Sequence, residues 1–251
     1  SCAFLYTRVS LGKFMASDII NKSIRELVDE LLKLDEKKRE EFFKANEGSL
    51  FGSEMEQKLR SASSSDVIDF VLLVPPAFFI KALETFTTII SEKILEAKPT
   101  DIAKIFDVLT KDQRKQFTSR FMQPLTNFAK RLSIRDIINM ILNVSSPSRP
   151  GLLSPMRPIL FNPEFKKRIL SSNLSELEEF ISVLPDNIRS QLLKKHKDAF
   201  LSDDFEALIK SASREEITNL LLRWFPKDLY NEFIEKHKDV LSEKELKLQP
   251  M

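Results

Sequence analysis

Six times along the chain, apolar residues recur with the i, i+3, i+4, i+7 spacing that marks one face of an α-helix. The copies are Val67, Phe70, Val71, Val74; Ile102, Ile105, Phe106, Leu109; Ile137, Met140, Ile141, Val144; Leu177, Phe180, Ile181, Leu184; and Ile217, Leu220, Leu221, Trp224. Leu27, Leu31 and Leu34 make a weaker first copy, with Glu30 where an apolar residue is expected. An acid stands directly before each first position: Glu26, Asp66, Asp101, Asp136, Glu176 and Glu216. Three residues earlier come Ser23, Ser63, Lys98, Ser133, Asn173 and Ser213. Five of these six pairs read as a capping box or a close variant. In it the short polar side chain accepts from the third helical amide, and the acid favours the positive helix end.

The second half of each unit recurs as well. Arg39, Arg114, Arg189 and Tyr230 align, followed three residues later by Phe42, Phe117, Leu192 and Phe233. Proline often stands at the turn between the halves, where it ends one helix and can open the next. The last unit carries one extra residue before its turn proline, Pro226. First apolar positions fall at 27, 67, 102, 137, 177 and 217, giving steps of 40, 35, 35, 40 and 40 residues. The longer units have room for a third short helix, such as Ser202 to Ala212. Periods of this length built from helix pairs are those of α-solenoids. The expected fold is all-α, an α-solenoid-like array of about six helix-pair repeats with about twelve to fifteen helices. Residues 23–251 are expected to form one helical-repeat domain, and residues 1–22 an N-terminal arm outside it, with Met15 a candidate internal start.

The repeat register decides how the only two histidines are read. "LLKKHKDAF" from Leu192 and "FIEKHKDVL" from Phe233 place His196 and His237 at equivalent positions of the last two units. Phe86 and Phe121 occupy that position in units two and three. Equivalent positions lie about one helix packing distance or more apart, which is too far for one shared metal bound at ~2 Å. The pair therefore reads as a repeated helix position, and no cofactor or metal is expected.

Composition narrows the function classes. With 42% apolar and 30% charged residues, the chain is globular. Its four glycines form neither GxGxxG nor a phosphate-binding loop. A single cysteine, Cys2, leaves no internal disulfide and suits a reducing, intracellular setting. The apolar stretch Val67 to Ile90 has the length of a membrane span, but Asp69, Lys81, Glu84 and Pro75-Pro76 argue against one. No Ser/His/Asp order, paired-carboxylate motif or Cys/His arrangement stands out, so the reading is non-enzymatic.

Charge is unevenly placed. Residues 111–170 carry 12 Lys or Arg against 3 Asp or Glu, while both flanks are slightly acidic. The block comprises Lys111 with Arg114, Lys115, Arg120, Lys130, Arg131, Arg135, Arg149, Arg157, Lys166, Lys167 and Arg168, and all but Lys111 are taken as candidate partner-binding residues. It suits an acidic protein surface, or alternatively an anionic membrane or phosphoinositide; nucleic acid fits less well because the chain as a whole is near neutral. The segment Ser145 to Pro163 carries five of the twelve prolines and reads as a long loop of the kind that often binds a partner. The recurring Arg39, Arg114 and Arg189 read as a buttress to a neighbouring helix rather than a base-reading code.

The "LPDNIRSQLL" unit (Leu184 to Leu193) and the acid-bearing tail "KDVLSEKELKLQPM", with Glu243, Glu245 and Leu248, resemble parts of known proteins. They are similar to the helical-repeat regions and C-terminal translocation signals of type IV secreted effectors of intracellular bacteria such as Legionella and Coxiella. That resemblance implies a protein translocated into a host cell, where it binds host factors.

Overall fold

The structure, a computed structural model, describes residues 19–251, and every regular element among them is helical. Of the expected arm, residues 1–18 lie outside the described residues, while Ile19–Asn21 form a single 3₁₀ turn with Ile19 buried. The chain divides into two compact units, residues 1–128 and 129–251.

In the first unit the leading helices of three repeats, Ile24–Leu32, Ser64–Leu73 and Pro99–Val108, pack side by side in sequence order. The first repeat continues through Glu36–Ala45, Glu47–Leu50 and Ser53–Ser61. The second continues through Pro76–Thr85 and Thr87–Glu96, and the third through Lys111–Ala129. The second unit repeats the plan, with leading helices Ile134–Leu142, Leu174–Val183 and Arg214–Asn219 again in a row.

All six leading helices begin at the residues the capping pattern marks. The side chains of Ser23, Ser63, Ser133, Asn173 and Ser213 accept from the amide three residues on, at 2.8–3.1 Å. At Ser23, Ser133 and Ser213 the acid bonds back to the cap amide and closes the box. Lys98 has no short polar side chain; there Asp101 takes the Lys98 amide at 3.2 Å and Pro99 opens the helix. Ser133→Ala should cost about 0.5–2 kcal/mol by chemical denaturation, because the Asp136 amide loses its acceptor. A loss below that range would mean that water replaces the cap without cost.

The capping acids have a second task. Arg25 reaches Asp66 at 3.2 Å and Asp69 at 2.9 Å on the next leading helix. Arg135 reaches Glu176 and Glu179 at 3.4 and 2.9 Å, across the same 41- and 44-residue separations. One arginine per pair therefore staples the start of one leading helix to the start of the next.

In five of the repeats the second helix bends after about ten residues, so the helices are more numerous than the expected twelve to fifteen. The bend residue leaves helical geometry at φ near −110° and ψ near 20°: Asn46, Phe86, Phe121, His196 and His237. All five are buried. The carbonyl of the bend residue still accepts from the next helix, as in Leu50 N–H to Asn46 at 2.9 Å and Ile90 N–H to Phe86 at 2.9 Å. The bend turns the end of each unit down onto its core.

Two corrections follow. Ser145 to Pro163 is no loop. It folds as the short helices Arg149–Leu153 and Arg157–Leu160 joined by single 3₁₀ turns, and it buries Leu152, Leu153, Met156, Ile159 and Leu160. The prolines stand at the first positions of these turns, where a missing N–H costs nothing. The second concerns Trp224, expected on the buried face. The extra residue before Pro226 is absorbed by a π-helical turn, Leu220–Trp224. Phe225 takes the buried cap position that Leu184 holds one repeat earlier, and Trp224 is displaced to a half-buried place. One inserted residue is the usual cause of such a turn.

Candidate functional site

The cations of residues 111–170 divide between the units and between tasks. In the first unit Arg114 donates to the carbonyls of Phe106 and Leu109 at 3.3 and 2.9 Å, closing the end of its leading helix. Arg120 lies 3.6 Å from Glu84, and Lys115 is exposed.

In the second unit Arg149 donates to Val144 at 3.3 Å. This is the position of Arg39, which reaches Leu31 and Leu34, and of Arg189, which reaches Ile181 and Leu184. The expected buttress is thus a recurring arginine cap on the C-terminal carbonyls of the leading helix, a use the guanidinium fork suits. Arg149 also belongs to that series, which the alignment of Arg39, Arg114 and Arg189 missed because Pro147 and Pro150 obscured the second helix. Phe79 and Tyr230 hold the place in repeats two and six.

A second device uses the last helix of a repeat. Lys58 donates to Lys22, Lys93 to Arg60 and Ala62, Arg168 to Lys130, and Lys244 to Ala212, each at a carbonyl just ahead of a leading helix. Burial pushes the Arg168 guanidinium below its ordinary value, and its head lies 5.6 Å from the Phe165 ring.

What remains faces solvent. Arg157 donates to Gln191 at 2.8 Å and lies 5.2 Å from the Phe161 ring. Lys130, Arg131 and Lys166 are exposed. Lys167 pairs with Glu164, whose carboxyl is held below its usual range by that bond. Arg135 is held further charged by Glu179. Residues 129–170 hold eight Lys or Arg against two Asp or Glu. The hydrogen bonds of Arg149, Arg157 and Arg168 go to uncharged acceptors, so they satisfy geometry without cancelling charge.

The histidines are buried rather than surface positions. His196 Nε2 lies 2.5 Å from the carbonyl of Leu160, and His237 Nε2 lies 2.8 Å from that of Phe200. Leu160 and Phe200 are themselves equivalent, 40 residues apart, so each ring ties its bend to the preceding repeat. A carbonyl only accepts, which places the proton on Nε2. Burial holds both rings below the ordinary histidine pKa. Among the described residues no three His, Cys, Asp or Glu are grouped to hold a metal ion, and no helix is long and apolar enough to cross a membrane.

A cleft of about 540 Å³ opens in the first unit beside Ile20, Ser23, Arg25, Glu54, Lys58 and Asp66. Its two cations are engaged, Arg25 with Asp29, Asp66 and Asp69, and Lys58 with the Lys22 carbonyl. No protein-family profile matches the chain, and no curated protein or solved structure is similar to it at a significant level.

Proposed function

We propose that the protein is a non-enzymatic helical-repeat module that binds an acidic protein surface through the cations of its fourth repeat. The observation that supports this most is the bonding of Arg149, Arg157 and Arg168 to uncharged acceptors. A guanidinium bonded to an uncharged acceptor is held in place with no opposing charge beside it, so the charge of Arg149, Arg157 and Arg168 remains available to a partner's carboxylates. Lys130 and Lys166 extend it into solvent. Arg149 and Arg168 set the frame, and Arg157, Lys166 and Lys167 are the contact residues. The resemblance to secreted effectors points the search for the partner to host-cell proteins.

The test is charge reversal at the contact residues, which leaves the caps intact. Arg157→Glu, Lys166→Glu and Lys167→Glu together should leave the melting temperature nearly unchanged. They should weaken binding to a recovered partner by about tenfold or more at physiological salt, with the difference shrinking as salt rises. Unchanged affinity overturns the assignment. Retention on phosphatidylserine vesicles, lost in the same variant, with no protein partner affected, would replace the acidic protein by an anionic membrane.

A further inference from the structure

The last repeat is followed by a segment the array does not need for its own helices, and that segment is held by dedicated contacts. After Lys238–Glu243 the chain reverses at Glu245, a non-glycine residue at φ 58°. The Leu246 amide reaches back to Leu241 at 3.0 Å, the six-to-one bond of a Schellman turn. Glycine is the usual residue there, because a Cβ crowds the following carbonyl at positive φ. Its carboxylate lies 3.4 Å from Arg214 at the start of the leading helix.

Beyond the turn, residues 246–251 have no regular secondary structure. Leu246 and Leu248 are half-buried while Lys247 and Gln249 are exposed, the alternation of a segment lying along a surface. The surface is the helix Lys227–Lys236. Tyr230 Oη donates to the Gln249 carbonyl at 3.0 Å. Asn231 accepts from the Met251 amide at 2.8 Å and donates to the Met251 carbonyl at 3.2 Å. An asparagine that grips both main-chain groups of one residue recognises extended backbone irrespective of side chain.

Tyr230 stands where Arg39, Arg114, Arg149 and Arg189 cap their leading helices. Neither its hydroxyl nor Asn231 serves the array in that way; both are turned to the added segment. We propose that Tyr230 and Asn231 form a binding site for the backbone of an extended peptide, and that residues 245–251 are the ligand occupying it in cis. The bonds to main chain make the site tolerant of sequence, and the inward Leu246 and Leu248 make it select peptides with aliphatic residues two apart. An exogenous peptide of that kind enters when the cis segment leaves.

The test uses the 251-residue chain and a fluorescein-labelled heptapeptide with the sequence of residues 245–251. Leu246→Ser with Leu248→Ser weakens the cis segment, and this variant should bind the labelled peptide about tenfold or more tightly than wild type in an anisotropy titration. Adding Asn231→Ala should abolish the gain. Equal binding by wild type and the double variant, or a gain that survives Asn231→Ala, overturns the proposal. Amide hydrogen exchange on the wild type supplies an independent reading that no variant's folding can confound. The Met251 amide should exchange at least about tenfold more slowly than in the free heptapeptide, and free-peptide exchange there overturns the proposal equally.

Discussion

Phe205→Ala should remove about 3–5 kcal/mol of unfolding free energy, the range for truncating a buried aromatic ring. Phe205 is fully buried, with ring neighbours Phe200 at 5.5 Å, Phe233 at 5.7 Å and His237 at 6.2 Å. It stands in the short turn Asp203–Phe205, and its ring fills the space between the bend of the fifth repeat and the second helix of the sixth. The rings of Phe200, Phe233 and His237 border that space and collapse poorly into it, so the cavity left by truncation stays largely open. Against a total stability of 5–15 kcal/mol typical of folded domains, such a loss brings the chain close to unfolding at moderate urea. The comparison is Leu222→Ala on the π-helical turn, where the side chain is 55% exposed and the change should stay within about 0.5 kcal/mol. If both variants unfold at the wild-type urea midpoint, the ring cluster does not hold the last two repeats together.

The same contrast explains what the sequence reveals of this protein. Leading helices are legible because each carries two independent signals, a cap such as Ser133 with Asp136 and an apolar stripe such as Ile137, Met140 and Ile141. Both signals depend only on neighbours within one turn or two. The bends are not legible. Leu192, Leu193, His196, Ala199 and Phe200 have the spacing of an unbroken helix, with no glycine or proline to mark a break. Only packing against the preceding repeat decides that His196 leaves helical geometry. Prolines misled in the opposite sense: at Pro147, Pro150, Pro155 and Pro158 they open successive short turns where a loop was expected. Trp224 was misassigned because one inserted residue shifts a helical face by about 100°, and the stripe alone cannot say where the insertion is absorbed.

For the basic residues the limit is different. Net charge is additive along a sequence, but the use of each charge depends on what lies within reach. Arg149 and Lys166 contribute equally to the count, yet one caps Val144 and the other meets solvent. A recurrent position was the available clue: arginine at the same place in several repeats signals a carbonyl to be capped, as in Arg39, Arg114 and Arg189. Cations without a counterpart in other repeats, such as Lys166 and Lys167, cap no leading helix and are exposed. The Trp224 side chain shows how far such caps are reinforced. Its Nε1 donates to Glu178 at 2.7 Å, and its ring lies 4.3 Å from the Arg189 guanidinium that closes the neighbouring leading helix.

The two buried histidines should make stability fall as pH drops below about 6.5, before ordinary carboxylates titrate. In the folded chain both rings are neutral, because their protonation would place charge in the core. Burial is the largest cause of the lowered pKa in each. The unfolded chain, with ordinary histidines, binds more protons at any pH between the folded and unfolded values. Stability therefore rises with pH across that window, is complete above about 6.5, and is lost on acidification down to the folded pKa. The slope approaches about 1.4 kcal/mol per pH unit for each ring, so about 2.7 for the pair. The two sites differ. His237 Nδ1 has Glu206 at 3.9 Å, and both Glu206 and Asp203 favour its charged form, while Lys236 opposes it. Lys195 opposes the charged form of His196, while a backbone carbonyl, Leu160 for His196 and Phe200 for His237, favours it in both rings. His196 should therefore carry the larger share of the acid sensitivity. Replacement by phenylalanine, which occupies the same bend in repeats two and three, removes the titration while keeping a ring in place. Urea unfolding of the wild type and of His196→Phe with His237→Phe, at pH 7.5, 6.5 and 5.5, measures the difference. The variant starts less stable, since the Leu160 and Phe200 carbonyls lose their donor, but its stability should stay flat over a range where the wild type declines. A wild type equally stable at all three pH values would show that the rings accept protons in the folded state as readily as in the unfolded one.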